Sequence, residues 1–144
     1  MIDPALEAAF RATAYWVADR DGRRFAIRID SRCERLDDLL DAAGTMAWAY
    51  VTACNPRSQL LDDEENRLRM ERLETVVRGR GFVVLPGEAL ADEPGWPAER
   101  SLLVLGIPES EAVEIASTFA QHAIVVGTAG SAARLVWIRR TAGR

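Results

Sequence analysis

Residues 45–53, TMAWAYVTA, carry no charge and are apolar on both faces, with Met46, Trp48 and Tyr50 alternating against Ala47, Ala49 and Val51. A strand with one wet face alternates apolar with polar, whereas a strand apolar throughout needs cover on both sides. The stretch therefore predicts a central strand of a sheet, with a helix lying close over the alanines. Asn55-Pro56 ends it, because proline donates no ladder bond and biases its predecessor away from helix.

The flanking segments supply the cover. Phe10–Val17, then DRDG, then RRFAIRI read as a hairpin, its second arm alternating Phe25, Ile27 and Ile29 with Arg24, Ala26 and Arg28. A helix follows in SRCERLDDLLDAAG, with Ser31 and Glu34 as a capping box, Leu36, Leu39, Leu40 and Ala43 as its inner stripe and Gly44 as its stop. Asp62 and Glu65 form a second capping box that opens a helix with the inward stripe Asn66, Met70, Leu73, Val76 and Val77, stopping at Gly79 or Gly81. FVVL (Phe82–Leu85) reads as a short strand, and residues 86–99 as a long loop of the kind that is often functional or mobile. SLLVLGI is a buried strand, and Pro108 opens a helix at its first position with Ala112, Ile115, Ala116 and Phe119 facing in. AIVVG and ARLVWI close the chain as a hairpin. The expected fold is α+β, a single mixed, mainly antiparallel sheet covered by about three helices, with α/β as the alternative.

At 144 residues the chain suits one domain, residues 1–144, long enough to bury roughly 70% of its extended surface. All eighteen basic residues are arginine, which excludes a Schiff-base lysine, a lysine general base and a P-loop lysine. One histidine and two cysteines, Cys33 and Cys54, without CxxC or HxxxH spacing argue against a zinc site, and both cysteines read as reduced thiols, Cys54 buried. A net charge of −4 argues against a nucleic-acid partner, and no apolar run is long enough to span a bilayer. The first ten residues lack the basic segment of a signal peptide, so a cytoplasmic location is expected. No cofactor motif is present and no cofactor or metal is expected.

The polar residues Thr52, Asn55 and Asn66 gather around one strand-to-helix turn, the place where layered sheet–helix proteins commonly bind ligands. Each asparagine alone has a local explanation, an Asx turn for Asn55 and a capped N–H for Asn66. Glu99 and Ser101 open the next buried strand, and Gln121 and His122 lie where the last helix gives way to a strand.

TACNP at 52–56, EENRLR at 64–69, WPAERS at 96–101 and FAQHAIVV at 119–126, with the N-terminal AYWV, occur in an order and spacing that resemble the bacterial family known as domain of unknown function 3293. The resemblance runs from about Ala14 to Val136. It places Thr52, Asn55, Pro56, Asn66, Glu99, Ser101 and Gln121 at recurrent polar positions and implies no activity. The chain departs from the pattern at Ala120 and His122, where glycine and asparagine are expected, and at Arg100, where proline is common.

Two functions are open at this point. One is a binding module in which Thr52, Asn55, Asn66, Glu99, Ser101 and Gln121 line a polar pocket for a small polar ligand or a peptide. The other is a small enzyme in which Glu99, in a cleft against Trp96, has a raised pKa and serves as candidate catalytic acid/base.

Overall fold

The computed structural model describes residues 3–139. Four helices, α1 (Pro4–Arg11), α2 (Glu34–Ala43), α3 (Asp63–Gly79) and α4 (Glu109–Thr118), accompany seven strands. The strands are β1 (Thr13–Ala18), β2 (Arg24–Ile27), β3 (Ala47–Val51), β4 (Val83–Ala91), β5 (Glu99–Leu105), β6 (Ala123–Thr128) and β7 (Arg134–Trp137). They form one sheet in the order β2-β1-β4-β5-β3-β6-β7, and all six ladders are antiparallel. The fold is α+β. No helix among the described residues is long and apolar enough to cross a membrane.

The sheet curls until its two edges meet. Ile29, just after β2, bridges Ala133, just before β7, in parallel. Asp30 N donates to Ala133 O at 2.8 Å and Ala133 N donates to Ser31 O at 3.0 Å, so this seam occupies backbone groups that would otherwise be left open at both edges. The inner face follows from strand periodicity. Tyr15 and Val17, Phe25 and Ile27, Trp48 and Tyr50, Leu103 and Leu105, and Val125 pack in one cluster that takes residues from both ends of the sheet, which only the inside of a curl allows. The opposite face of β3–β6, with Ala49, Val51, Val84, Val104 and Val126, packs under Met70, Leu73 and Val77 of α3 and Ala112, Ile115 and Ala116 of α4. The alanine at 49, fully buried, is where the helices come close, as the TMAWAYVTA pattern predicts.

Helix α2 plugs one end of the curl. Leu36 and Leu40 join the inner cluster, while Arg35 pairs with Asp19 beyond β1 and Asp37 accepts from Gly130 N beyond β6. The other end, at the start of β1, β5 and β6 and the finish of β3 and β4, stays open.

The mainly antiparallel sheet is as expected, the isolated bridge being its parallel element among the described residues, and four helices accompany it. Several local expectations are corrected. Phe10 and Arg11 belong to α1, not to the first hairpin arm. Asp3-Pro4 was the available signal: the Asp3 carboxylate accepts from Ala5 N at 2.9 Å and proline takes the first turn, where it costs no hydrogen bond. Ser31 does not cap α2, which starts at Glu34 with Cys33 as an N-cap lacking a side-chain bond, because the Ser31 backbone is committed to the seam. Ala43 is exposed, and Pro108 precedes α4 as its N-cap. Asp62 does cap α3, accepting from Glu65 N at 2.8 Å.

The largest correction concerns residues 86–99. Residues 86–91 are the outer half of β4, paired with β5 and β1, and only 92–98 form a loop. Pro86 is tolerated because the β1 ladder begins one residue later, at Gly87. Gly87 is required by close packing: an added Cβ would lie 2.6 Å from Trp16 O and 2.7 Å from the Tyr50 hydroxyl. Gly87→Ala is therefore expected to destabilise by about 2 kcal/mol, the scale of core overpacking, measured by urea unfolding.

Candidate functional site

The open end of the curl is a cavity of about 380 Å³. Its existence follows from side-chain size along the inner faces. On β5 the inward residues run Leu105, Leu103, Ser101, Glu99, changing from apolar to polar toward the mouth. On β4 they run Leu85, Gly87, Ala89, Ala91, so bulk falls away in the same direction. Helix α1 lies along the opening with Leu6, Ala9 and Phe10, and the 92–98 loop adds Glu93, Trp96 and Pro97. Tyr15 and Tyr50 stand inside with ring centroids 5.2 Å apart at 72°.

Five of the six sequence-derived candidates, Thr52, Asn55, Glu99, Ser101 and Gln121, lie on the wall of this cavity. Asn66 does not. It sits behind Asn55 in the first turn of α3, where its Oδ1 accepts from Asn55 N at 2.9 Å and its Nδ2 donates to Asn55 Oδ1 at 2.9 Å. Asn55 Oδ1 also accepts from Leu61 N, and Asn55 Nδ2 donates to Glu99 Oε2, both at 2.9 Å. Asn66 thus holds Asn55, and Asn55 holds Glu99. The Asn55 backbone is left-handed, φ +47°, a conformation asparagine tolerates better than most residues.

The remaining candidates are also tied to backbone. Thr52 Oγ1 donates to Arg100 O at 2.7 Å and accepts from Cys54 N at 3.0 Å. Ser101 Oγ donates to Glu99 O at 3.1 Å, and Gln121 Nε2 donates to Cys54 O at 3.1 Å and Phe119 O at 3.3 Å. His122 is half-exposed on the same wall. Sequence periodicity misses Phe10, Tyr15, Tyr50 and the α1 residues, because it assigns inward apolar residues to core without saying where the core stops. Tyr50, opposite small Val51 and two residues before Thr52, was the signal.

Burial raises the Glu99 carboxyl above its ordinary 4.5, and the Asn55 hydrogen bond offsets only part of that. Burial likewise raises both tyrosines, which stay protonated. Cys54 is buried and its thiol is pushed up, so it is a poor nucleophile; neither cysteine is in a disulfide. Among the described residues no three His, Cys, Asp or Glu side chains are grouped to hold a metal ion.

A family model described as "Protein of unknown function (DUF3293)" matches residues 51–124, half of the chain. The chain belongs to the DUF3293 family. The matched span runs from the end of β3 into β6 and contains Thr52, Asn55, Asn66, Glu99, Ser101 and Gln121. No curated protein and no solved structure matches the chain. At Ala120, where the sequence resemblance leads to an expected glycine, φ is +57°, and the carbonyl accepts from Arg57 N at 2.7 Å. A left-handed alanine costs about 1–2 kcal/mol, and glycine there adds roughly 0.4–1 kcal/mol of unfolded-chain entropy. Ala120→Gly is expected to stabilise by the difference, about 0.5 kcal/mol, read as a higher urea midpoint.

Proposed function

We propose that the mouth of the curled sheet binds a small molecule, its apolar body among Phe10, Tyr15 and Tyr50 and its polar group meeting Glu99. The observation that carries this reading is Glu99 itself. It is a carboxyl withdrawn into a cavity whose deep wall is aromatic and aliphatic, with one oxygen held by Asn55 Nδ2. A buried carboxylate costs free energy unless paired, and among the described residues no arginine lies within ion-pair distance of it. Packing does not call for a charge here; a leucine would continue the inner face of β5. The cavity volume suits a small organic ligand.

The raised carboxyl pKa supports a second reading, Glu99 as general acid or base toward the bound molecule. Binding is preferred because no other titratable side chain among the described residues is hydrogen-bonded to Glu99. The test is amide NMR with a fragment set of apolar bodies and varied head groups. Binding fragments should shift Tyr15, Tyr50, Thr52, Glu99 and Gln121 together. Shifts confined to the separate groove between α4 and β7, at Val113, Ser117 and Trp137, would contradict the reading.

A further inference from the structure

The hydrogen-bonding inventory of the mouth narrows what can enter it. Thr13 Oγ1 donates to Ala9 O, Tyr15 Oη to Phe10 O and Tyr50 Oη to Trp16 O, at 2.7, 2.7 and 2.8 Å. Thr52, Asn55, Ser101 and Gln121 spend their donors on Arg100 O, Glu99 Oε2, Glu99 O, and Cys54 O with Phe119 O. All but one of these protons point at a protein acceptor; the exception is the second amide proton of Asn55 Nδ2, whose first proton goes to the Glu99 carboxylate. What the same side chains leave over is acceptor capacity: the second oxygen of Glu99 and the Oε1 of Gln121. Among the described lining residues, the side-chain donors without a protein partner are Ser58, Trp96 and His122, and Ser58 and Trp96 are exposed.

The charges agree with the inventory. Asp3, Glu93 and Glu99 line the cavity, and in a chain with eighteen arginines none of those among the described residues does. His122 is the one described lining residue able to carry positive charge. A low-dielectric cleft with carboxylates on its walls concentrates cations. The rings of Tyr15, Tyr50 and Phe10 line the same cavity, where an aromatic quadrupole attracts a cation that reaches a ring face, and the tyrosine hydroxyls are already turned to backbone.

Building on the small-molecule reading above, we infer that the ligand is an organic cation, a protonated amine on an apolar or aromatic body, with its ammonium between Glu99 and Gln121 Oε1. An anionic ligand would find only the second amide proton of Asn55, on the nitrogen already bound to the Glu99 carboxylate that would repel the anion. A neutral alcohol would satisfy one acceptor and leave the Glu99 charge unneutralised.

The test is a matched series in isothermal titration and amide NMR: 2-phenylethylamine, 2-phenylethanol and phenylacetate, which share a body and differ in head group. The amine should bind at the mouth at least about tenfold more tightly than the alcohol, the range of a charged over a neutral hydrogen bond, and phenylacetate should not bind there. In Glu99→Gln the amine should lose that advantage over the alcohol. If the alcohol or the acid shifts the mouth residues with affinity equal to or above the amine's, the cationic assignment is overturned while the small-molecule site stands. If none of the three shifts the mouth residues, while fragments of other shapes do, the cation inference again fails alone. If no fragment of any kind does, both fail.

Discussion

Replacing Asn55 by alanine is expected to destabilise the protein by about 3–4 kcal/mol, a large loss for one residue outside helix and strand. Three side-chain hydrogen bonds vanish together. Leu61 N and Asn66 Nδ2 lose their acceptor and Glu99 Oε2 loses its donor. Each polar group left buried and unpaired costs about 1–3 kcal/mol, with water recovering part of that at the half-buried positions. The left-handed backbone at φ +47° adds strain that asparagine relieves and alanine does not. Urea unfolding of Asn55→Ala against wild type measures it. A loss under about 1 kcal/mol, the net worth of a single ordinary hydrogen bond, would mean that the Asn55–Asn66 pair is not the support described above.

Glu99→Gln should do the reverse, leaving or raising stability while weakening binding. The introduced glutamine can still accept from Asn55 Nδ2 through its amide oxygen, so the network survives. The pH dependence fixes the sign. The folded carboxyl is raised above its ordinary 4.5, so the native state holds its proton more tightly than the unfolded chain does. Wild-type stability therefore contains a penalty that is absent below the unfolded value, grows as pH rises through the folded pKa, and is fully present above it. Glu99→Gln lacks that penalty. Its advantage over wild type should be visible at neutral pH, shrink as pH falls through the folded pKa, and be gone below about 4.5. For a ligand that donates to Glu99, affinity should drop roughly 10- to 150-fold, the cost of a charged hydrogen bond. Parallel urea series at several pH values and one titration decide both halves. A variant less stable than wild type at neutral pH would return Glu99 to a structural role.

The parts of this molecule that the sequence discloses are those governed by local rules. Strand periodicity puts Trp48 and Tyr50 on one face and Ala49 and Val51 on the other, and the Asp62 cap starts α3 where the spacing predicts. The polar set around Thr52, Asn55 and Asn66 is legible because a polar residue on an apolar stripe stands out. What stays hidden depends on distant partners. Pro86-Gly87 reads as a loop, since the sequence does not show that β1 stops pairing just before Pro86 or that Tyr50 fills the space above Gly87. The Ile29–Ala133 seam joins residues roughly a hundred positions apart and displaces the Ser31 cap. Asn66 reads from its spacing as a cavity-wall residue and instead supports Asn55, a difference of one side-chain length that periodicity does not resolve. That the mouth has most of its donors spent and the second Glu99 oxygen free appears only when each hydrogen bond is assigned.

A crystal structure of the protein with 2-phenylethylamine tests the account most directly. The ammonium should lie within about 3 Å of a Glu99 carboxylate oxygen, with the phenyl ring among Phe10, Tyr15 and Tyr50 and the Asn55–Glu99 hydrogen bond intact. Density for the amine elsewhere on the surface, with the mouth of the curled sheet left to water, would contradict it.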